Sequence, residues 1–476
     1  MKNFGQNVSF NPKHFYQPAN ETEVLDILNR HQNNKIRVRG SLHAWSDAAA
    51  SNDVFIDLCK INKIEIIKDE DGTSWVKVGG GCVLKRLIEI LQKENLMVPA
   101  MGGIEKQTIA GLISTATHGT GRSSLSHYMD EVSIATYDRT NGSAKIYEFN
   151  SGQNLKAARC AIGCMGVIIS AKFKCVPRYW VTETIQRHKT IQDVLAQEAE
   201  YPLQQSGLFP YLWEFVSFQR KLSPAPSLKE QRHASIMRIA DYLGVEILPH
   251  LLIKLLLILP AKKKIITWYY RSFLPSLVQG NTVINRDSIG LTLHTLHHYT
   301  FRHVEMEVFI PEKNLTQAIP IIKALTDYFA GINNDLPPEI IEQAQEAKLS
   351  EDIKKLHNNY LHHYPIFIRK VFPDDTLMSM SSGNEAYYAL GFFTYNKESK
   401  RQSYYSYCYI MAKVLNRMFD ARLHWGKYFP LGYEDISRVY PELSEFKSIC
   451  QNFDSKGVFR NNFTDRVFGL KLSRLK

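Results

Sequence analysis

Between residues 102 and 121 the chain concentrates small residues and hydroxyls: Gly102, Gly103, Thr108, Gly111, Ser114, Thr117, His118, Gly119 and Gly121. Backbone N–H groups in such a stretch can close on a pyrophosphate, because a Cβ at those positions would hold the anion away. It is a cradle and not a P-loop. No Gly-x-x-x-x-Gly-Lys-Ser/Thr occurs, and no Gly-x-Gly-x-x-Gly opens a strand–turn–helix unit, so the Walker and Rossmann readings both fail. A tight turn without a ligand is the plain alternative. Cys160, Cys164 and Cys175 invite a metal reading, yet their surroundings are apolar and β-branched and their spacing fits no ligand set. Core thiols are expected there, and no metal is implied.

Three neighbouring stretches give the cradle a context. Upstream stands Arg37-Val38-Arg39-Gly40-Ser41-Leu42-His43-Ala44-Trp45-Ser46; between them lies Val76-Lys77-Val78-Gly79-Gly80-Gly81; downstream come Gly163 and Gly166-Val167 within Ala158–Ile168. Near the C-terminus His424-Trp425-Gly426-Lys427 is followed by Gly457-Val458-Phe459-Arg460-Asn461. In this order and spacing the motifs resemble the vanillyl-alcohol-oxidase (PCMH-type) FAD-binding family, in particular its aldonolactone (gulonolactone and arabinonolactone) and alditol oxidase branch. The resemblance covers residues 15–180 and resumes at the C-terminus, where His-Trp-Gly-Lys is the branch's own tetrapeptide.

The resemblance implies FAD as cofactor, held by Arg39, Gly40, Ser41, His43 and Ala44, by the cradle, by Gly163, Gly166 and Val167, and by Asn461. By the family pattern His43 bonds covalently to the flavin 8α-methyl; a loop histidine without that bond is the alternative, and Leu42 and Ala44 depart from the family's residues beside it. The implied reaction passes hydride from a carbinol C–H of a sugar lactone, polyol or related alcohol to flavin N5, with oxygen as acceptor. Lys427 and Arg369 would stabilise the developing charges. Ile368-Arg369-Lys370-Val371-Phe372-Pro373-Asp374-Asp375 is similar to the branch's Glu-Val/Ile-Arg-x-x-x-x-Asp-Asp, but Phe367 stands where the Glu should be. A phenyl ring cannot accept a hydrogen bond from a substrate hydroxyl, so a less polar alcohol fits the departure. Glu307 matches the branch's Met-Glu-Tyr-x-x-Pro segment and shares a strand face with Glu305; two solvated carboxylates are the alternative.

These residues need elements to hold them. Asn20, followed by Glu23, reads as the cap of a helix whose Val24, Ile27 and Leu28 face inward. Residues 36–39 and 54–58 alternate like strands, Asp69-Glu70-Asp71-Gly72 and Thr140-Asn141-Gly142 mark two hairpins, and a helix follows from Val83 to Gln92. The expected class is α+β: a two-subdomain FAD-binding unit over 1–180, a cap domain with an antiparallel sheet over 181–410, and a C-terminal segment, 411–476, that returns to the site as an irregular tail.

Composition bounds the partners. With 44% hydrophobic and 22% charged residues the chain is globular, and its net charge of +11 comes without any nucleic-acid-binding signature. The seven cysteines without a CxxC pair and an N-terminus without an apolar h-region imply a cytoplasmic protein. The run Val245–Leu259, ahead of Lys262-Lys263-Lys264 and Trp268-Tyr269-Tyr270-Arg271, is too short to span a bilayer. It suits either peripheral membrane contact near 251–271 or a buried cap-domain helix with a basic end. Two other readings stand beside the oxidase: a flavin dehydrogenase coupled to a quinone or protein, and a peripheral membrane protein with structural FAD. Oligomeric state is not fixed by the sequence.

Overall fold

The structure, a computed structural model, describes residues 1–241, 247–256, 262–269, 282–287, 291, 302–395 and 401–470. β1 (His14–Tyr16), β2 (Ile36–Arg39) and β3 (Val54–Asp57) form a parallel sheet in the order β1-β3-β2. Strands running the same way need a crossover, and the helix Glu21–Arg30 supplies one. It starts where the cap requires: the Glu23 N–H donates to the Asn20 side-chain oxygen at 2.9 Å, and Val24, Ile27 and Leu28 are buried.

Both hairpins form. β4 (Ile64–Lys68) turns into β5 (Ser74–Gly79); β7 (Met129–Tyr137) and β8 (Ala144–Phe149) flank Gly142, whose φ of +71° the turn demands. β9 (Val167–Lys174) joins them into an antiparallel sheet in the order β4-β5-β9-β7-β8, and β6 (Leu96–Met97) pairs with β10 (Val176–Pro177) at the margin.

A second, eight-stranded sheet stands over this unit. Its strands are β11 (Trp180–His188), β12 (Gln205–Phe209), β13 (Glu214–Ser223), β14 (Thr282–Arg286), β15 (His303–Pro311), β16 (Ile366–Val371), β17 (Tyr387–Tyr395) and β18 (Arg422–Leu423). They run antiparallel in the order β14-β11-β13-β12-β16-β17-β15-β18. The helices Leu315–Phe329 and Arg401–Phe419 pack on this sheet. The class is α+β, with the antiparallel sheet that was expected. The C-terminal segment is not an irregular tail: it contributes β18 and three helices, Tyr433–Val439, Leu443–Phe453 and Asn462–Phe468. Phe446, Ile449 and Phe453, at helical spacing, give the second of these a buried face, and turn residues such as Asn461 serve as caps.

The paired acids after β16 fasten the two units together. Asp374 accepts from the Thr376 N–H at 3.1 Å and from the hydroxyls of Thr376 (2.8 Å), Ser379 (2.6 Å), Ser124 (3.2 Å) and Ser381 (3.2 Å). Asp375 meets His127 at 3.1 Å and Arg159 at 2.7 Å. Those charges hold its carboxyl down at about 2, the His127 hydrogen bond being the largest cause.

Candidate active site

A cavity of about 410 Å³ lies between the first unit and one face of the eight-stranded sheet. Its floor is made of glycine-bearing loops. Arg39, Gly40, Ser41, His43 and Ala44 follow β2, and Gly102, Gly103, Thr108, Gly111 and Ser114 come from the cradle. Thr117, His118, Gly163 and Gly166 complete it. The glycines are required by close approach: a Cβ on Gly40 would sit 2.1 Å from Thr108 Oγ1, and one on Gly102 would sit 3.0 Å from Thr117 Cγ2. Thr117 Oγ1 is buried at this floor and makes no hydrogen bond among the described residues. A floor of small residues with a waiting hydroxyl fits the pyrophosphate and ring of FAD.

Two motifs far apart in the chain meet at one end. The Trp45 N–H donates to the Gly426 carbonyl at 2.8 Å and the Ser46 hydroxyl to the Trp425 carbonyl at 2.6 Å, so the His43 loop and the His424–Lys427 loop are one structure. Trp425 itself is fully buried, donating its indole N–H to the Met378 carbonyl at 2.6 Å and stacking on Phe429 at 4.9 Å. The extreme N-terminus props the same loop, a role the sequence did not suggest. Asn3 and Asn7 donate to the carbonyls of Ala44 and Trp45, each at 2.8 Å, and Phe4 stacks on the His43 ring at 4.9 Å. Leu42 sits at φ +54°, a left-handed conformation unusual for a branched side chain.

The roof carries the charge. β15 sends His303, Glu305 and Glu307 to the cavity, two residues apart on one strand face, and the alternative of solvated carboxylates does not hold: Glu305 and Glu307 are 2% and 1% exposed. Glu307 pairs through Oε1 with Arg369 on β16, and its Oε2 lies 3.4 Å from His118 Nε2. His118 is oriented by Nδ1, which donates to the Gly119 carbonyl at 2.9 Å. Glu305 pairs with Lys427, whose ammonium also lies 4.4 Å from the Trp45 ring centroid. Burial works against charge on both carboxyls. At Glu307 the Arg369 guanidinium and His118 outweigh it and hold the group well below the usual range; at Glu305 burial prevails over Lys427, and the neighbouring Glu307 adds to the rise. Burial likewise keeps His424 neutral; its Nδ1 accepts the Gly426 N–H at 3.0 Å. His118, Glu307 and His424 bring ligand-type atoms within 4.8 Å of one another, but Glu307 already answers the Arg369 charge, so the group is part of an ion-pair network.

Between these charges and the outer edge the roof carries an aromatic and aliphatic row, with Gln205, Asn285 and the Glu183–Arg220 pair beside it. Phe367, Phe393 and Tyr364 contact one another, with Phe367 edge-on to Phe393 at 5.8 Å, and Ile185, Phe218 and Val283 extend the wall. Phe367 shares a cross-strand row with Gly391 and Glu307, so the carboxylates missing from β16 are present on β15.

Four expected cofactor residues lie outside the cavity. Gly119 and Gly121 are small for another reason: a Cβ would meet the Met101 carbonyl at 2.2 Å and the Pro202 carbonyl at 1.8 Å, and the Gly121 N–H donates to the Lys370 carbonyl at 2.7 Å, packing the cradle against the roof. Val167 points into the core with Val24 and Ile56. Asn461 caps the last helix and donates to the carbonyls of Asp47 (2.9 Å) and Ala50 (3.0 Å), beneath the floor.

Comparison with known proteins agrees with this arrangement. A family profile described as FAD binding domain matches residues 12–138, and one described as D-arabinono-1,4-lactone oxidase matches residues 171–467. The chain is 36% identical over 468 residues to a long-chain alcohol oxidase of an uncultured marine euryarchaeote, covering 97% of this chain and 96% of the relative. It is 25% identical over 478 residues to the L-gulonolactone oxidase of Mus musculus, covering 98% of each. A solved cholesterol oxidase from B. sterolicum shares the fold, with a TM-score of 0.72 at 13% identity over 98% of this chain and 96% of that one. The chain therefore belongs to the D-arabinono-1,4-lactone oxidase family and is an FAD-dependent enzyme that oxidises a CH–OH group.

Proposed function

We propose that the substrate is a long-chain, largely apolar alcohol rather than a sugar lactone or polyol. The observation that carries this is the row of Phe367, Phe393, Tyr364, Phe218, Ile185 and Val283 along the roof; of the polar residues that line the same wall, Glu183 and Arg220 answer each other as an ion pair, and Gln205 and Asn285 are the remaining two. The name of the euryarchaeal relative points the same way. Arg369, with Glu307 as its partner, and Lys427 polarise the carbinol oxygen and stabilise negative charge as it develops, while the aromatic wall excludes water. Bound FAD supplies the two-electron oxidant. The loops from Arg39 to Ala44 and from Gly102 to Thr117 hold it, and His43, buried against Phe4, is proposed as its covalent tether.

The test is anaerobic mixing of holoenzyme with a series of primary alcohols and with L-gulono-1,4-lactone, following loss of flavin absorbance. Each methylene buried is worth about 0.8 kcal/mol, so kcat/KM should climb roughly fourfold per carbon until the wall is filled. Faster bleaching by the lactone than by 1-decanol would sink the proposal. Peroxide formed in air, one per turnover, identifies oxygen as acceptor; its absence favours a quinone or protein acceptor.

A specific observation favours delivery from a membrane. Leu251, Leu255 and Trp268, on the helices Leu248–Leu256 and Lys262–Trp268, are exposed beside Lys254 and Lys264, and these helices pack over an apolar cluster bordered by the cavity residues Ile185 and Tyr364. Of the run read from the sequence, Val245, Glu246, residues 257–259, Tyr270 and Arg271 lie outside the described residues. No described helix is long and apolar enough to cross a membrane, so the contact would be peripheral. Co-sedimentation with anionic liposomes at low salt, lost in a Leu251→Glu, Leu255→Glu variant, is the expected result; a parent protein that stays in the supernatant refutes it.

A further inference from the structure

We infer that Glu305 is the group that receives the proton of the substrate hydroxyl, a catalytic residue supplied by β15 in place of the carboxylate that Phe367 removes from β16. The inference rests on the reading of the site as an alcohol oxidase and adds the identity of the base. Of the carboxylates facing the cavity beside Lys427 and Arg369, Glu307 has a partner facing each oxygen: Arg369 pairs with Oε1, and His118 Nε2 stands 3.4 Å from Oε2, although that approach is not a hydrogen bond. Glu305 is engaged at one oxygen. Lys427 takes Oε2, while Oε1 is buried, belongs to a residue that lines the cavity and makes no hydrogen bond among the described residues. An unmatched buried acceptor is destabilising, and a hydroxyl arriving in the cavity would satisfy it.

The backbone keeps that oxygen open. Gly391 lies one strand over, and a Cβ there would come within 3.1 Å of Glu305 Oε1 and 2.8 Å of the Phe393 ring. Glycine weakens the interior of a strand, and at this position its missing side chain is the space beside the acceptor. In the step, the O–H bond breaks and its proton passes to Glu305 Oε1, while the carbinol C–H breaks and its hydrogen leaves with the bonding electron pair, as hydride, to bound FAD. The alcohol becomes a carbonyl, losing two electrons, and FAD gains two.

The electrostatic surroundings suit a base that must both take and release a proton. Burial raises the Glu305 carboxyl from its ordinary range against the pull of Lys427, whereas Glu307 is held ionised. Two carboxyls pushed apart by their settings are the usual mark of divided acid–base roles. The groups that face Glu305 are Lys427 from the C-terminal loop, Glu307 and His303 on β15, Arg369 on β16 and Tyr404 from the helix Arg401–Phe419. Because the base must be ionised to accept the proton, the rate of flavin reduction should rise with pH through the raised value and then level.

The decisive variant is Glu305→Gln, which keeps an acceptor oxygen and cannot take up a proton. Three quantities are measured on FAD-loaded protein: the rate constant of flavin reduction by 1-decanol against pH, the Kd of 2-methyl-2-nonanol from the flavin spectrum, and FAD content. The tertiary alcohol has no carbinol hydrogen and so reports binding alone. The expected result is a fall of roughly 10²- to 10⁴-fold in reduction, the range of a lost general base, with loss of the pH rise. Binding of the tertiary alcohol and FAD content should stay within about threefold. Glu305→Asp, which keeps the carboxylate, should retain the pH rise at a lower rate. Reduction of the Gln variant within about threefold of the parent overturns the inference. So does a parallel loss of rate, binding and FAD in both variants, which would make Glu305 a structural partner of Lys427. If only L-gulono-1,4-lactone bleaches the parent, the long-chain reading fails, and reduction by that lactone in the same variants decides the role of Glu305.

Discussion

Replacing Lys427 by alanine tests how the charged end of the cavity works. The Lys427 side chain is 15% exposed and that of its partner Glu305 3%, so solvent can take over little of the lost interaction. Removing one member of a buried pair costs about 3–5 kcal/mol, and the attraction of unit charges about 4 Å apart at an effective dielectric near 20 is also about 4 kcal/mol. The protein can escape that cost by keeping Glu305 protonated, since the cation that opposes burial has gone. At neutral pH the base is then blocked, and stabilisation of developing negative charge is lost as well. About 3 kcal/mol taken from the transition state is roughly 10²-fold in rate, so Lys427→Ala should reduce its flavin at least 10² times more slowly at pH 7. Part of the rate should return at alkaline pH as Glu305 ionises. Stopped-flow reduction under anaerobic conditions, with 1-decanol from pH 6 to 10, is the assay, and FAD absorbance per chain controls for loading. A Lys427→Ala protein that holds full FAD and reduces it within about threefold of the parent at every pH would refute the reasoning.

Three further outcomes are expected. Acid precipitation of the holoprotein should leave a yellow pellet, and the same treatment of His43→Ala a colourless one; flavin found wholly in the parent's supernatant excludes the covalent tether. Gly40→Ala should lower FAD content severalfold, because the added Cβ meets Thr108 Oγ1 at 2.1 Å, whereas Gly142→Ala at the open hairpin tip costs about 1 kcal/mol of stability and no flavin; equal FAD content in the two variants counts against the cradle. Asp375→Asn should unfold at a higher pH on acidification. The native carboxyl titrates at about 2, below its unfolded value, so its contribution is complete above about pH 4 and vanishes as pH falls towards 2. Its side chain is 47% exposed, so solvent screening keeps the effect modest, and identical acid transitions for the two proteins would show that the junction does not depend on it.

Local signals carried the reading of the chain as far as they reach. The Asn20 cap, both hairpins and the β15 alternation are short-range patterns, and each formed as expected. Alternation put Glu305 and Glu307 on one face but could not say whether that face met water or a cavity, since this depends on the sheet's neighbours. The pairing of Glu305 with Lys427 spans 122 residues and has no local trace. Asn461 and Gly121 matched the family pattern, yet their side of the structure is occupied by a helix cap and by a carbonyl from another element. The Asn3–Asn7 prop under Ala44 and Trp45 is built from residues whose only mark in the sequence is polarity.

The seam between the two ends of the chain sets a clock on maturation. Besides the contacts of Trp45 and Ser46 with Gly426 and Trp425, the Ile36 N–H donates to the Val458 carbonyl at 2.8 Å and Arg37 donates to the Phe459 carbonyl. A ribosome adding about 5–20 residues per second leaves a gap of roughly 20–85 seconds between the two halves of the seam. Through that interval the nascent strands β2 and β3 lack the partners that close the floor around His43. If the flavin needs that closed floor it is taken up only by the completed seam, and truncation near residue 420 should yield apoprotein however much of the cradle it contains.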